Sequence, residues 1–225
     1  WNIEATRLSD DRFLGISTEV TPQKLLEAEL REREQSLAKR LRYEEVVSKI
    51  SERAVRADDD LRFQNDALRF IGEHMAISRV YIFKHQYDTD TMDNTVEWCC
   101  PNVTPQIENL QGVPASMIPW WMEMLRAGRN IRFADVEDIP DEGTKEILRP
   151  QGVLSILVVP LFVGGRYYGF LGFDECVKKR DWPDEDVNLL LTVSRIISSV
   201  IERYRYEASI KESEEKFRTD RKSVV

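Results

Sequence analysis

From Asp184 to about Phe217 the sequence reads as one uninterrupted helix, with Val187, Leu190, Ser194, Ile197, Ile201, Tyr204 and Ala208 at alternating spacings of three and four. This spacing predicts a coiled-coil seam, and Leu189, Val193, Ile196 and Val200 form a second apolar stripe beside it. At 1.5 Å per residue the helix would be on the order of 50 Å long, more than the core of a domain this size covers. Part of it is therefore expected to project and meet a partner. A second helix is expected from Thr21 and Pro22 past Val47, carrying Leu26, Leu30, Leu37, Leu41, Val47 and Ile50 between many Glu and Arg residues. Rod, globule, rod is the plan of a signal relay rather than of a free-standing enzyme. It predicts a homodimer through the terminal helices.

Charge narrows the partners. With Lys+Arg 32 against Asp+Glu 40 and a formal net charge of −8, no overall basic field attracts nucleic acid or an anionic membrane. The longest apolar stretch, Leu154 to Val163, is interrupted by Ser155 and Pro160 and is about half the length needed to cross a bilayer. Neither a membrane span nor a signal peptide is expected. Three cysteines, two of them adjacent at Cys99 and Cys100, do not make a disulfide framework. A cytoplasmic protein without direct membrane insertion follows as the expectation.

Between the rods the pattern alternates helix and hairpin. Trp1 to Ile3 and Arg12 to Ser17, joined by a polar turn around Ser9, Asp10 and Asp11, form a first hairpin, too small to be stable by itself. Leu61, Ala67, Leu68, Ile71 and Met75 give one side of a helix that breaks near Ser78, and Arg79 to Tyr87 then alternates as a strand. Thr95 to Cys100, ended by Pro101, is its hairpin partner. Met117, Ile118, Trp120, Trp121, Met124 and Leu125 fall on a helix capped by Ser116 and stopped by Gly128. Asn130 to Phe133 reads as a short strand and Asp141 to Arg149 as a short helix. The strongest hairpin is Ser155 to Val163 and Arg166 to Glu175 around Gly164 and Gly165, whose adjacent glycines supply the positive φ of a tight turn. Hairpins in place of repeated strand-helix units predict an α+β fold, a mainly antiparallel sheet of about five or six strands with helices on its faces.

The run from Gly152 to Asp174 (GVLSILVVPLFVGGRYYGFLGFD), followed by Trp182-Pro-Asp-Glu-Asp and the apolar helix, resembles the C-terminal half of a GAF domain, and the likeness extends over residues 58–203. Trp1-Asn-Ile and Gly15-Ile-Ser-Thr-Glu-Val-Thr resemble the last strands and exit of a PAS domain, and Lys211-Glu-Ser-Glu-Glu-Lys-Phe-Arg218 the entry helix of another. The resemblance implies a PAS, GAF, PAS array: residues 1–20 a PAS remnant, 21–57 an amphipathic connector, 58–203 the GAF domain, and 204–225 a signalling helix leading into the next PAS domain. Such arrays commonly feed histidine kinase output domains in two-component phosphorelays, or diguanylate cyclases.

No output motif lies in the sequence itself. The only histidines are His74 and His85, and there is no Walker-type loop, His-Glu-x-x-His zinc motif or Gly-x-Ser-x-Gly elbow. The chain is expected to be a non-catalytic sensory and dimerisation module that relays a small-molecule or redox signal. The alternatives are a ligand-free dimerisation and relay module, or a haem-binding redox or gas sensor. A ligand pocket is expected between the sheet and the segments crossing it, with Trp98, Cys100, Trp120, Trp121, Met124 and Phe133 as the ligand-binding residues. Core packing is the plainer role for Trp120 and Met124, and a buried structural thiol the plainer role for Cys99, Cys100 and Cys176.

The resemblance also raises cofactors. Haem-binding GAF domains hold iron through a proximal His, for which His85 and His74 are the candidates. Bilin-binding ones usually show Cys followed by His, where Cys100 is followed by Pro101. Asp138-Ile-Pro140 matches only the end of a short phytochrome motif. Phe173-Asp174-Glu175 is too short a match to the signature of cyclic-nucleotide-binding GAF domains.

Overall fold

A computed structural model describes the backbone of residues 2–9, 12–18 and 22–223 and the side chains of residues 23–216. Two compact units divide the chain, residues 1–44 and 45–225. The first contains an antiparallel hairpin of β1 (Asn2–Ser9) and β2 (Arg12–Thr18), paired from Asn2 opposite Thr18 to Ser9 opposite Arg12. This is the expected hairpin, with longer strands; Trp1, the turn residues Asp10 and Asp11, and Thr21 lie outside the described residues. Helix α1 (Pro22–Arg56) starts in this unit. Its Leu26, Leu30, Leu37 and Leu41 are all more than half exposed. At 3.6 residues per turn they fall within about 60° of one another, one apolar stripe left exposed among the described residues.

The second unit is built on a six-stranded antiparallel sheet in the order β5-β4-β3-β8-β7-β6. Its elements run α2 (Asp60–Met75), β3 (Arg79–Gln86), β4 (Thr91–Cys99), β5 (Val113–Pro114), α3 (Pro119–Arg126), β6 (Ile131–Phe133), α4 (Glu142–Leu148), β7 (Ser155–Val163), β8 (Arg166–Glu175) and α5 (Asp184–Ser223). The α+β architecture read from the sequence is the one observed. Asp59 opens α2 by accepting from the Arg62 amide at 2.6 Å, and Ala76, at φ 50°, closes it two residues before Ser78. Gly164 and Gly165, at φ 57° and 73°, turn β7 into β8 where the sequence placed the turn.

One face of the sheet carries α2 and α5, with the end of α1 held against these two helices; the other carries α3, α4 and the loops between them. Gly72 marks how closely α2 approaches: a Cβ there would meet the Trp98 ring of β4 at 2.2 Å. Arg203 Nη2 and Tyr204 Oη of α5 donate to the Ala57 carbonyl, which fastens α5 to the end of α1.

The long C-terminal helix is present, but the seam expected along it is used differently. Leu190, Ser194, Ile197 and Ile201 are buried within the unit itself, as are Leu189, Val193 and Val200 of the second stripe. Both stripes cover the chain's own sheet and neighbouring helices. Beyond Tyr204 the described side chains of α5 are exposed, including Tyr206 and Ile210. The reason is what α5 lies against: it packs on β7, β8 and α2, and Arg203 and Tyr204 reach Ala57 at the end of α1, so two adjacent apolar stripes, roughly 140° of its circumference, are covered within the unit. Among the described residues no helix is long and apolar enough to cross a membrane.

Candidate functional site

On the face opposite α2 and α5 lies a cavity of about 60 Å³, walled by β3, β4 and β8 and roofed by α3, α4 and the 106–114 segment. Most of its wall is apolar, including Tyr81, Phe83, Met92, Ile118 and Phe170. Phe83 and Phe170 stack at 4.7 Å, and Trp121 meets Phe170 edge-on at 5.7 Å. Tyr81 lies over Gly172 of the neighbouring strand, where a Cβ would come within 2.4 Å of its ring.

A buried ionic group sits at one end of this wall. Arg79 is the first residue of β3, the strand flanked by β4 and β8, with Cys99 and Asp174 as its Cα partners on either side. Only 1% of its surface is exposed. An isolated guanidinium so placed would be costly, and the opposite strand answers it. Arg79 Nε and Nη2 donate to Asp174 Oδ2 at 3.0 and 2.6 Å, and Nη2 also reaches Gln151 Oε1 at 3.0 Å. Tyr81 Oη donates to Asp174 Oδ1 at 2.9 Å. Burial works against the charge on Arg79, but Asp174 outweighs it and holds the guanidinium protonated, while burial pushes the Tyr81 phenol well above its ordinary range.

Glu97 adds a second carboxylate, 3.8 Å from Arg79 Nε. Its Oε2 accepts from the Gln106 and Ile107 amides at 2.7 and 3.0 Å, and its Oε1 from Asn94 Nδ2 at 3.2 Å. It thereby pins the crossing segment over the sheet edge. Asn94 strengthens the attachment, with its amide donating to the Leu110 carbonyl and its carbonyl accepting from Gln111 Nε2.

Trp121 is the one residue among the six sequence-read ligand contacts that lines the cavity. Trp120, Met124 and Phe133 are partly buried against the outside of the same core, with Trp120 and Phe133 in contact at 6.1 Å. Trp98 lies on the opposite face against Gly72 of α2. Cys100 sits just past β4, its thiol 3.6 Å from the Pro101 carbonyl. The cause is a β-bulge: Ile82 pairs with Val96 but Phe83 with Asn94, so Thr95 is an extra residue in β4. Before it Met92 and Asn94 line the cavity; after it the lining residue is Glu97, and the even-numbered Trp98 turns away. Strict alternation places Trp98 and Cys100 on the Met92 side, and one inserted residue reverses that. Arg79, Glu97 and Asp174 were missed. Their signal was an ionisable residue inside or beside a nearly continuous apolar strand, which needs a counter-charge wherever it is buried.

The cofactor alternatives meet a different geometry. His85 is buried away from the cavity lining, its Nε2 at 2.8 Å from Asp90 Oδ1 and 3.1 Å from Arg126 Nη2. His74 Nδ1 pairs with the Phe70 carbonyl of its own helix at 2.9 Å. A cavity of about 60 Å³ lies far below the ~300 Å³ at the lower end of drug-sized pockets, so the residues as arranged do not fit a tetrapyrrole, haem or bilin. Among the described residues no group of three His, Cys, Asp or Glu could hold a metal ion. Burial, reinforced by Glu97 for Cys99 and by Asp174 for Cys176, pushes both thiols up to about 12. All three cysteines are half-buried where burial was expected, and a thiol so raised is little ionised at neutral pH.

The GAF domain family matches residues 61–201 of the chain. The Methanothrix harundinacea (strain 6Ac) protein named methanogenesis regulatory histidine kinase FilI is 35% identical over 150 residues, 64% of this chain. The match spans 17% of that relative's length. Among solved structures, the phycocyanobilin-bound GAF domain of a cyanobacterial phytochrome superposes with a TM-score of 0.64 at 20% identity, covering 73% of this chain and 96% of that one. Free methionine-R-sulfoxide reductase of Neisseria meningitidis, in complex with its substrate, superposes with a TM-score of 0.59 at 19% identity, covering 73% and 91%. At these identities the structures share the fold.

Proposed function

The chain belongs to the GAF domain family, and from that premise we propose that it is a sensory module of a signal-transduction protein. It takes a small molecule into the cavity beside Arg79 and passes the resulting shift along α5 to an output domain. The parent is a cytoplasmic sensor histidine kinase, a reading supported by the kinase relative, although this stretch is itself non-catalytic. Residues 1–20 are the C-terminal remnant of one PAS domain, and residues 204–225 are a signalling helix and the start of a following one. The module works as a homodimer through its terminal helices, for which the exposed stripe at Leu26, Leu30, Leu37 and Leu41 is the supporting feature.

One observation carries the relay. Asp174 faces the cavity, and its neighbour Glu175 faces the other way, where Arg180 Nη1 donates to Glu175 Oε1 at 3.1 Å and Arg180 Nη2 to Asp186 Oδ2 at 3.4 Å in the first turn of α5. A ligand that displaces Arg79 and Asp174 therefore acts on the strand that anchors the start of the helix. Coupling of this kind needs a connecting element with two arrangements, and α5 is the element that leaves the domain.

The small volume of the cavity favours a second reading, a ligand-free dimerisation and relay module. Both readings depend on the phase of α5. Inserting four residues after Arg205 in the parent rotates the downstream helix by about 40°, and inserting seven nearly restores phase. Kinase output should change sharply with four and little with seven. Equal output from the two insertions would show a passive tether and end the relay assignment.

A further inference from the structure

Three buried polar atoms on residues lining the cavity have no hydrogen-bond partner among the described residues: Arg79 Nη1, Trp121 Nε1 and Asn94 Oδ1. Their residues are 1%, 4% and 2% exposed. Leaving a hydrogen bond unmade at such depth is costly, more so for a charged group, so three such atoms on residues that line one cavity mark a place where something else completes them. Their identities are fixed by what surrounds them. Arg79 gives its Nε and Nη2 to Asp174 and Gln151, which leaves both N–H groups of Nη1. Asn94 gives Nδ2 to Glu97, which sets the amide so that Oδ1 is the open acceptor. The site therefore offers N–H donors from two residues and one acceptor.

Charge decides what kind of molecule answers them. The buried wall holds one guanidinium, Arg79, against two carboxylates, Asp174 and Glu97. A further anion at Nη1 would place three negative groups around one cation out of contact with water, a cost that one more charge-assisted bond does not recover. A cation fares no better. It would sit beside the free side of Arg79, and all four carboxylate oxygens already accept from the protein. An uncharged group has neither difficulty.

Resting on the sensory reading above, we propose that the cavity binds an uncharged amide-like group, either a small molecule or the buried end of a larger one. Its carbonyl oxygen accepts from Arg79 Nη1 and Trp121 Nε1, and its N–H donates to Asn94 Oδ1. The aromatic and aliphatic wall takes its short apolar end. Size agrees with this class: an engineered cavity of about 150 Å³ takes the six carbons of benzene, so about 60 Å³ has room for two to three non-hydrogen atoms, the size of the amide group itself.

Three isosteric probes separate the charge classes: acetamide, acetate and acetamidinium, neutral, anionic and cationic in turn. Each is titrated into protein labelled with ¹⁵N-tryptophan, and the Trp121 indole N–H resonance, identified by its loss in Trp121→Phe, is followed. Acetamide should shift it saturably, with each charged probe at least tenfold weaker. In Trp121→Phe, acetamide binding followed on the ligand's own signals should weaken at least tenfold, because the indole donor is gone and the space its five-membered ring leaves is apolar. Equal or tighter binding of acetate or acetamidinium overturns the uncharged class and leaves the sensory reading standing. No saturable shift with any probe means that ordered water completes these atoms, which overturns the proposal; the relay itself is judged by the helix-phase insertions.

Discussion

Asp174 and Glu175 are adjacent on β8 and carry their carboxylates to opposite faces of the sheet. Asp174 accepts from Arg79 and Tyr81 on the cavity side, while Glu175 accepts from Ser78 Oγ at 2.7 Å and from Arg180 beside the start of α5. Strand alternation alone produces the juxtaposition. Two buried polar networks with different tasks thus share one stretch of backbone, and neither can move without stressing the other.

The first expectation concerns that shared stretch. Asp174→Asn removes the carboxylate hydrogen-bonded to a fully buried guanidinium, leaving Glu97 at 3.8 Å as its counter-charge, and should destabilise the domain by about 1.5–3 kcal/mol in urea unfolding. Arg79→Met combined with Asp174→Leu removes the hydrogen-bonded pair, leaves Glu97 to its donors from Asn94, Gln106 and Ile107, and should be more stable than Asp174→Asn. A loss below about 1 kcal/mol for Asp174→Asn would mean that water reaches the pair and that the buried network is misdescribed.

Thr95 permits an unusual deletion. Because it is the extra residue of the bulge, removing it leaves Met92 and Asn94 on the cavity side, Glu97 with them, and Trp98 against α2. We expect the shortened protein to fold with a loss of no more than ~2 kcal/mol, including the bond from Thr95 Oγ1 to the Ile82 carbonyl. Collapse of the near-ultraviolet circular dichroism of the tryptophans would show that Thr95 is part of the regular ladder.

Alkylation tests the thiols. A pKa moved from 9.0 to about 12 lowers the thiolate population of Cys99 and Cys176 roughly a thousandfold at pH 8, partly offset by the greater nucleophilicity of a high-pKa thiolate. Iodoacetamide should label them on the order of 50-fold more slowly in native protein than in urea. The same shift has a stability consequence. The folded thiols hold their protons more tightly than the unfolded ones, so this contribution is complete below about pH 9 and is lost as the pH rises toward about 12. Rapid native labelling at pH 8 would reopen a redox role.

The two rods should respond differently to charge. Ile197→Asp places a carboxylate in the unit's own core and should cost at least ~3 kcal/mol in protein of any oligomeric state. Leu30→Asp with Leu37→Asp alters an exposed stripe and should leave the unfolding of residues 45–225 unchanged while lowering the sedimentation coefficient to that of a monomer. A double variant that still sediments as a dimer would remove the α1 stripe from the interface.

What the sequence determined by itself was everything carried by local signals. The diglycine turn at Gly164 and Gly165, the apolar runs on either side of it, the helix from Asp184 and the hairpin order of an α+β sheet all follow from spacing and backbone preference within a few residues. Tertiary structure decided what those elements face. Trp98 and Glu97 exchanged places because one extra residue at Thr95 reverses a period of two, and no local pattern announces such an insertion. The stripe of Leu190, Ile197 and Ile201 looks the same whether a sheet or a second helix covers it, and only the packing of α5 over its own sheet chose between them. Arg79 and Asp174 lie 95 residues apart, so their pairing exists only once β3 and β8 are registered side by side. The site's chemistry rests on that register, because a buried charge acquires its meaning from the partner that the fold brings to it.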